Sequence, residues 1–563
     1  MRSCDPSKVQ GFTADARNNV GHDLQDLIKL FRRDTDLMTP HFLRLVIFSG
    51  LSNAAVLAVV NMAVQSHAKG NAANFRPLVL FCSAIGIYAL SQKRLMLDSC
   101  ARAEQLIDKL RLRLLEAVRA SEYQEIEAIG RGEIFGSLSR ETQTLSQTMP
   151  NLVVAVQSAA LLIASMTYMF FLSTTAFFLL IVFTTAGAAF HLARAKEAAV
   201  QIEKAAKNED ILIEGFSDVI DGFREVKLNS ARSSQIAEEI MRVSADVKSS
   251  RLFVHALNSR DFVLSQLTFF ILTGLMVFVS PALIGGNAQT IAMTTTATLF
   301  MLGPVGALVG NFSVINNANA AARRIAELEE RLLGCTTPSN DNCNIQQFQD
   351  FSEITLNAVT YSYTALDGDG FSVGPNHLTI RRGDCIFLTG GNGSGKTTFL
   401  NLLLTLVPAS SGKITVDGVP IDIDNVVAYR SMFSAIFSDN HLFRKLYGVG
   451  AIEPANVGRL LAEMELEGKV TLKDHQYSTV DLSGGQRKRL ALVTAQLEKK
   501  PILVLDEWAA DQDPIFRKTF YRTILPRLKA EGQTILAVTH DDRYFDVADA
   551  RYHMEEGQLR RLD

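Results

Sequence analysis

The sequence predicts an α-helical membrane domain of six spans, followed by an α/β domain of the P-loop type. Apolar residues make up 47% of the chain and charged residues only 20%, and the two kinds are distributed unevenly along it. Two long stretches contain no charged side chain at all. A glycine-rich loop that ends in Gly-Lys-Thr then follows in the C-terminal part of the chain.

The uncharged stretches lie at residues 142–193 and 262–322. Each is long enough for two helices of about 20 residues, the length that crosses the hydrocarbon core of a bilayer. Two further apolar segments, at 45–68 and 77–92, bring the number of predicted spans to six. Arg76, at the start of the second of these segments, is placed to extend its charge to the membrane interface.

The connections between the spans differ in length and in charge. Those at 93–141 and 194–261 are long and rich in Lys and Arg, whereas those near Ser173 and 285–287 are short. By the positive-inside tendency, we expect the long loops, the N-terminus and the C-terminal domain to be cytoplasmic. Residues 1–40 lack the apolar core of a cleaved signal peptide, so we expect a cytoplasmic or interfacial segment there.

Both long loops have apolar residues at three- and four-residue spacing, which is typical of amphipathic helices. Glycines interrupt the pattern in the middle of each loop, at Gly130 and Gly132 in the first and at Gly222 in the second. Two long helices joined by a short crossing element would form an arm that reaches a cytoplasmic partner. An ordinary helical hairpin is the alternative.

The chain therefore divides into the N-terminal segment, a transmembrane domain at 41–333, a polar linker at 334–350 and a second domain at 351–563. In this last domain strand-like runs alternate with helical stretches, the pattern of a sheet flanked by helices. The six cysteines lack metal-ligand spacing, and no disulfide framework is expected. A net charge of −3 gives no electrostatic reason to expect a nucleic-acid partner.

The glycine-rich loop, "LTGGNGSGKTTFL" at 388–400, follows a predicted strand and opens a predicted helix. Its glycines let successive backbone N–H groups surround a phosphate. Lys396 is placed to reach the β and γ oxygens, and the hydroxyl of Thr397 to bind Mg²⁺. The predicted phosphate-binding residues are Gly390, Gly391, Asn392, Gly393, Ser394, Gly395, Lys396, Thr397 and Thr398.

A second motif, "PILVLDE" at 501–507, is typical of a buried parallel strand that ends in two carboxylates. Asp506 is suited to the magnesium shell, and Glu507 to polarising the water that attacks the γ-phosphate. A core strand with an acidic edge is the alternative.

Between these motifs lies a third, "DLSGGQRKRLAL" at 481–492. The three motifs together resemble those of ABC-type ATPases, and six spans ahead of them resemble one half of an ABC exporter. The resemblance implies ATP and Mg²⁺ as cofactors and a head-to-tail homodimer, in which the signature of one copy closes on the nucleotide held by Lys396 of the other. The implied signature residues are Ser483, Gly484, Gly485 and Gln486. By itself, "SGGQ" is also an ordinary helix start, since Ser is a good N-cap.

The resemblance implies three more nucleotide contacts. Tyr363 matches the aromatic residue that stacks on adenine, and His540 matches the histidine that contacts the γ-phosphate. Asp513 matches the aspartate of the loop that joins the two active sites. A core tyrosine and a structural histidine are the alternatives for the first two.

The chain departs from the family pattern where a glutamine usually senses magnesium. Ser438 and Asp439 stand there. Either Ser438 binds a magnesium water, as a third metal-shell residue beside Thr397 and Asp506, or Asp439 substitutes for the glutamine electrostatically. The interval from Ser438 to Ser483 is short for an exporter, which predicts a trimmed helical subdomain.

Four stretches together are similar to one ABC subgroup, the cyclic peptide exporters of Gram-negative bacteria that include syringomycin, pyoverdine-precursor and microcin-type transporters. They are "FSAIFSDNHLF", "YSTVDLSGGQRKRLAL", "DEWAADQDP" and "VTHDDRYFDVAD". This similarity covers residues 352–563, and in the membrane half it rests on layout and on "DGFREVKLN". It implies that Trp508, Asp511 and Gln512 are characteristic of the subgroup. The position of Trp508 beside the expected base favours packing under the dimer interface over contact with the substrate.

The resemblance implies export of a peptide across the bacterial inner membrane by alternating access, with the loop breaks near 130–139 and 222–228 transmitting closure of the ATPase domains. The peptide would be cyclic, lasso or nonribosomal, or a siderophore precursor. We expect an apolar cavity with a few amide groups, unless these satisfy helix-to-helix contacts instead. The amides in question are Gln157, Gln266, Asn311 and Asn316.

Two other functions remain open from the sequence. One is a lipid or polyisoprenoid flippase built on the same plan. The other is a membrane-anchored ABC ATPase that does not transport. An exporter that trims leader peptides is not expected, because about 40 residues before the first span are too few for a protease domain.

Overall fold

Contacts within the chain divide it into two units. The first comprises the chain up to Arg119 together with Gly130–Arg331, and the second comprises Ala120–Ile129 and the chain from Leu332 onwards. The domain boundaries expected from the sequence stay predictions. The computed structural model describes residues 25–34, 40–68, 75–279, 288–334, 345–362 and 371–562.

The first unit is helical, and six of its helices correspond to the six predicted spans. Among the described residues, five segments are long and apolar enough to cross a membrane, and the sixth helix contributes the shorter apolar stretch Thr174–Gly187. Those six helices are α2 (Pro40–Ala68), α3 (Arg76–Ala120), α6 (Thr142–Leu172), α7 (Thr174–Asp221), α9 (Ser230–Gly274) and α10 (Ala288–Gly334). The shorter helices before α10 are α1 (Gln25–Asp34), α4 (Tyr123–Ile129), α5 (Arg131–Gly136) and α8 (Phe223–Leu228), with π-helical turns at Ser137–Glu141 and Leu275–Val279.

Polar side chains between the spans pair with one another. Gln157 Nε2, on α6, donates to Ser49 Oγ on α2 at 2.8 Å and to Gln92 Oε1 on α3 at 2.6 Å. An amide inside a membrane bundle is costly unless it is hydrogen-bonded, and these contacts satisfy it. The expectation that Gln157 lines a cavity is therefore wrong, because its amide joins three helices instead.

The described part of the N-terminal segment is the amphipathic helix α1. Three of its apolar side chains, Leu27, Leu30 and Phe31, are buried. Arg33 Nη2 lies 3.1 Å from Glu329 Oε1, and Arg113 Nε lies 2.8 Å from the same oxygen. The buried Glu329 carboxylate on α10 thus joins α1 to α3.

The breaks in the long loops follow the glycines only in part. Gly222 separates α7 from α8, and Gly130, with φ 80°, separates α4 from α5. Gly132 does not mark a break, because it lies inside α5. The short helix α4, which precedes the predicted crossing element at 130–139, belongs to the second unit.

The second unit contains two main sheets. Six strands are ordered β12-β11-β3-β10-β9-β6 and are parallel except for β12, and an antiparallel sheet has the order β2-β1-β4-β5. The strands are β1 (Glu353–Ser362), β2 (Ser372–Arg381), β3 (Cys385–Thr389), β4 (Ser411–Val416), β5 (Val419–Pro420), β6 (Phe433–Ile436), β7 (Leu472–Lys473), β8 (Gln476–Tyr477), β9 (Ile502–Asp506), β10 (Thr534–Val538), β11 (Ala550–Glu555) and β12 (Gln558–Leu562).

Helices cover the parallel sheet, and its central strands are buried over their whole length. They therefore read as unbroken apolar runs rather than alternating ones. The helices of this unit after α10 are α11 (Lys396–Leu403), α12 (Val426–Arg430), α13 (Pro454–Glu463), α14 (Gly484–Glu498), α15 (Pro514–Thr519) and α16 (Leu525–Ala530). Between Ser438 and Ser483 only α13 is an α-helix, in agreement with the predicted trimmed subdomain.

The register of the parallel strands places three loops at one edge. Val538 on β10 pairs with Leu388 on β3 and with Asp506 on β9. The loops that follow these strands therefore meet at the carboxyl edge of the sheet, where open α/β sheets bind their ligands.

Candidate nucleotide-binding and catalytic site

The loop after β3 has the backbone that its glycines permit. Gly390 has φ 149° and Gly395 has φ 102°, a region that other residues rarely adopt. A Cβ at Gly390 would lie 2.3 Å from the carbonyl oxygen of Met554. Lys396 begins α11, and its buried Nζ donates to the carbonyl oxygens of Gly390 and Gly391 at 2.9 Å each. The ammonium group is thus held at the loop that is predicted to bind phosphate.

The two carboxylates after β9 face this loop differently. Asp506 is buried, whereas Glu507 is partly exposed, with Oε1 at 4.0 Å from Lys396 Nζ and at 3.4 Å from His540 Nε2. Burial raises the pKa of Asp506 above its usual range, and the charge of Glu507 adds to this. The backbone N–H of Ser438 and the charge of Lys396 lower that pKa. The expected base, switch histidine and phosphate-binding lysine therefore lie together.

Magnesium and ATP fit the polar atoms of this edge. Asp506 Oδ2 and Ser394 Oγ are buried without a hydrogen-bond partner in the described part of the chain. The described residues contain no group of three or more His, Cys, Asp or Glu side chains that could hold a metal ion by itself. Asp506 and the Thr397 hydroxyl would therefore hold Mg²⁺ together with phosphate oxygens, as this hard cation prefers. The bound ion would neutralise charge on the β- and γ-phosphates.

Ser438, two residues after β6, also lies at the carboxyl edge of the sheet. Ile436 on β6 pairs with Leu505 on β9, and the Ser438 backbone N–H bonds to Asp506. Metal binding by the Ser438 side chain, or a substitute role for Asp439, stays a prediction. Tyr363, the expected adenine contact, lies outside the described residues.

The signature motif begins α14. Ser483 and Gln486 form a capping box, in which the side chain of each accepts from the backbone of the other. The helix-start alternative is thus confirmed, and nucleotide contacts by these two side chains stay predictions. Gly484 is open, but a Cβ at Gly485 would lie 2.6 Å from the Asp511 carbonyl oxygen. The signature turn therefore packs directly on the loop after β9.

That loop is attached to α14 by the residues that depart from the family pattern. Trp508 is 1% exposed, and its Nε1 donates to the Lys488 carbonyl oxygen at 2.7 Å. Asp511 pairs with Lys488, with Oδ2 at 2.8 Å from Nζ. Gln512 Nε2 donates to the Gly485 carbonyl oxygen at 3.1 Å. Trp508 therefore has its packing partners within its own chain.

Arg489 makes the second connection from α14. Its Nε donates to Gln512 Oε1 at 2.8 Å, and its Nη2 donates to Asp513 Oδ2 at 2.7 Å. Asp513 also accepts from the backbone N–H groups of Ile515 and Phe516 and so caps α15. The Phe516 N–H, followed by Arg489, holds the pKa of Asp513 below its usual range. Contact of Asp513 with nucleotide stays a prediction.

The sequence reasoning missed Lys488 and Arg489 as residues of this site. The signal that was available is the run of three adjacent cations in "QRKRLAL", which leads into an apolar helical stretch. The last two of them, Lys488 and Arg489, are buried. Buried cations require partners. Their partners are Asp511, Gln512 and Asp513, in the loop that follows β9.

The fold and these contacts define a P-loop ATPase unit joined to a helical membrane unit. A family model for the ABC transporter matches residues 373–510. The chain is 30% identical over 526 residues to the ATP-binding protein SyrD of Pseudomonas syringae pv. syringae, covering 91% of this chain and 92% of that protein. It is 28% identical over 367 residues to an ATP-dependent lipid A-core flippase of Burkholderia orbicola (strain AU 1054), covering 61% and 58% of the two chains.

A solved structure of a bacterial Atm1-family ABC exporter with ATP bound is similar in fold. Its TM-score is 0.76 at 16% identity, with 94% of each chain covered. The chain belongs to the ABC transporter family and has the architecture of an exporter half-transporter. The predicted fold class is thereby confirmed, as are ATP hydrolysis coupled to transport and the use of ATP with Mg²⁺. Such half-transporters typically function as dimers.

Proposed function

We propose that this protein is a homodimeric exporter that moves a peptide across the bacterial inner membrane by alternating access. The cargo is a cyclic, lasso or nonribosomal peptide or a siderophore precursor. ATP held by Lys396 closes the signature turn of the second copy, and Glu507 activates water for the hydrolysis that resets the transporter. The ATPase unit and the N-terminus lie on the cytoplasmic side.

The observation that carries the cargo proposal is a cavity in the membrane unit. It has a volume of about 740 Å³ and lies between α6, α7, α9 and α10. Its walls are mainly aliphatic and aromatic, with hydroxyl groups from Thr184, Ser265 and Thr268. Ligand sites of this size bind molecules with apolar surface and a few polar groups. An amphipathic peptide, or the apolar part of a larger one, has that chemistry.

The amides expected to line the cavity do not do so. None of Gln157, Gln266, Asn311 and Asn316 is among the residues that form its wall. The cavity wall instead contains a different amide, Asn258, and one acidic side chain, Asp261, each of which has an interaction of its own.

One resemblance supports a peptide as cargo: the motif set of the ATPase half resembles the cyclic peptide exporters. The similarity to SyrD, which extends over nearly the whole of both chains, supports the shared architecture. A lipid or polyisoprenoid flippase is the second candidate, because a lipid A-core flippase is among the relatives and an apolar cavity also suits acyl chains. That similarity covers less of each chain.

Narrowing the cavity tests the proposal. Gly310 lies in the cavity wall on α10, and a Cβ added there meets nothing within 4 Å. Gly303 lies on the same helix, is equally open, and is not part of the wall. We expect Gly310→Leu to reduce ATP-dependent uptake of a labelled acylated cyclic peptide into proteoliposomes by about tenfold, since overpacking a site costs on the order of 1–3 kcal/mol. Gly303→Leu should transport normally.

The same proteoliposomes distinguish the two candidates. A labelled lipid A analogue is assayed beside the peptide, with basal ATPase activity measured in each variant. Transport of the lipid without the peptide would replace the proposal by the flippase. Equal transport of peptide by both glycine variants and the unmodified protein would show that this cavity is not the cargo site.

A further inference from the structure

The catalytic loop holds Glu507 in a strained backbone conformation. Glu507 has φ 48° and ψ 37°, the left-handed region. A residue with a side chain persists there only when its surroundings fix it. Its backbone N–H donates to the Val538 carbonyl oxygen at 3.2 Å, which attaches it to β10. Its own carbonyl oxygen must be held from the opposite side.

Lys488 supplies the charged contact on that side. Its Nζ donates to the Glu507 carbonyl oxygen at 3.0 Å, alongside a longer bond from the Ala510 N–H at 3.3 Å. The Lys488 side chain is only 6% exposed, and its charge is paired with Asp511. A buried hydrogen bond from a charged donor is stronger than one between neutral groups. The conformation of Glu507 thus depends on an ammonium group of α14.

The same residue is also held by the loop through its backbone. Trp508 Nε1 donates to the Lys488 carbonyl oxygen, so the side chain and main chain of Lys488 contact residues on both sides of the Glu507–Trp508 peptide bond. Lys488 lies one turn beyond the signature glycines, and Gly485 itself is held by Gln512. A shift of the signature turn would therefore displace the backbone of Glu507, the expected base.

We propose that Lys488 is a positioning residue that couples the signature turn of α14 to the orientation of the Glu507 carboxylate. It acts through the carbonyl oxygen of Glu507. When the signature turn is seated, Lys488 fixes Glu507 with its carboxylate beside His540 and Lys396. This inference rests on the proposed role of Glu507 as the base.

Lys488→Met tests the inference, because it removes the ammonium group and keeps the length of the side chain. In the full-length protein we expect kcat for ATP hydrolysis to fall by about ten- to hundredfold, as for loss of a charged hydrogen bond. KM for ATP should change by less than about threefold, because the P-loop binds the phosphates. Asp511→Asn, which leaves the ammonium group in place, should lower kcat less. Lys518→Met, an exposed lysine on α15, is the matched control and should leave both constants unchanged.

A cycle with Glu507→Gln separates this inference from the role of Glu507. If Lys488 acts through Glu507, adding Lys488→Met to Glu507→Gln produces no further loss of kcat. An equal further loss in the double variant, or a normal kcat in Lys488→Met, would overturn the positioning role. A normal kcat in Glu507→Gln alone would instead remove the proposed base. If Lys488→Met does not fold, Lys488→Gln and Asp511→Asn are compared in the same cycle. In any of these variants, a rise in KM for ATP as large as the loss of kcat would also contradict the positioning role.

Discussion

Replacing Trp508 by phenylalanine should destabilise the ATPase unit by about 2 kcal/mol. The indole N–H donates to the Lys488 carbonyl oxygen at 2.7 Å, and losing such a bond costs about 1 kcal/mol. The indole ring packs against Phe520 with ring centroids 4.2 Å apart. A smaller ring leaves a void in this buried position, at a further cost of about 1 kcal/mol.

The loss is measured by scanning calorimetry of both full-length proteins in one detergent. For a unit of this size, about 2 kcal/mol lowers the melting temperature by about 4–8 °C. Trp508 is the only tryptophan in the chain, so the fluorescence of the unmodified protein reports unfolding at this position. Its emission should be that of a buried indole and should move to longer wavelength at the ATPase transition. Phe443→Leu, at an exposed aromatic residue of the same unit, should shift the transition by less than about 2 °C. An unchanged transition in Trp508→Phe, or a solvent-exposed emission before heating, would refute the reasoning.

The two other residues of the ATPase chemistry give sharper functional outcomes. Glu507→Gln removes the carboxylate that lies 3.4 Å from His540, so we expect the rate of ATP hydrolysis to fall by at least about hundredfold. The variant should retain ATP and form a closed dimer that is visible by size-exclusion chromatography. A normal rate of hydrolysis would exclude Glu507 as the base. Lys396→Ala removes the buried ammonium group held at the P-loop, so ATP affinity measured by calorimetry should fall by at least about tenfold. Unchanged affinity would contradict the phosphate-binding role.

The parts of the site that follow one strand each were predictable because their signal is local. An apolar run followed by a glycine loop or by Asp-Glu fixes strand, turn and helix start within about a dozen residues. Parallel pairing then brings the ends of β3, β9 and β10 together, so Lys396, Glu507 and His540 meet without any further information. The helical spans were predictable for the same reason, since lipid requires an apolar run of fixed length.

Contacts made by single polar side chains were not predictable in this way. Gln157 could face a cavity or a neighbouring helix, and periodicity does not distinguish the two. Its choice depends on Ser49 and Gln92, which lie on two other helices. The grouping of α4 with the ATPase unit could not be predicted from periodicity either, because it depends on tertiary contacts of Glu122 and Gln124. A glycine was expected to mark the crossing element, whereas α3 already ends at Ala120.

The unusual loop after β9 and the basic residues of α14 form one electrostatic unit. Lys488 and Arg489 are both buried, and burying a cation is unfavourable unless a partner offsets its lost hydration. Asp511 pairs with the first and Asp513 with the second, while Gln512 bridges Arg489 to Gly485. Removing one side alone leaves a buried charge without its partner, so these residues are expected to change only together. The composition of the loop is therefore dictated by how the signature helix is attached to Glu507, and the chemistry of the cargo has to be sought in the membrane unit.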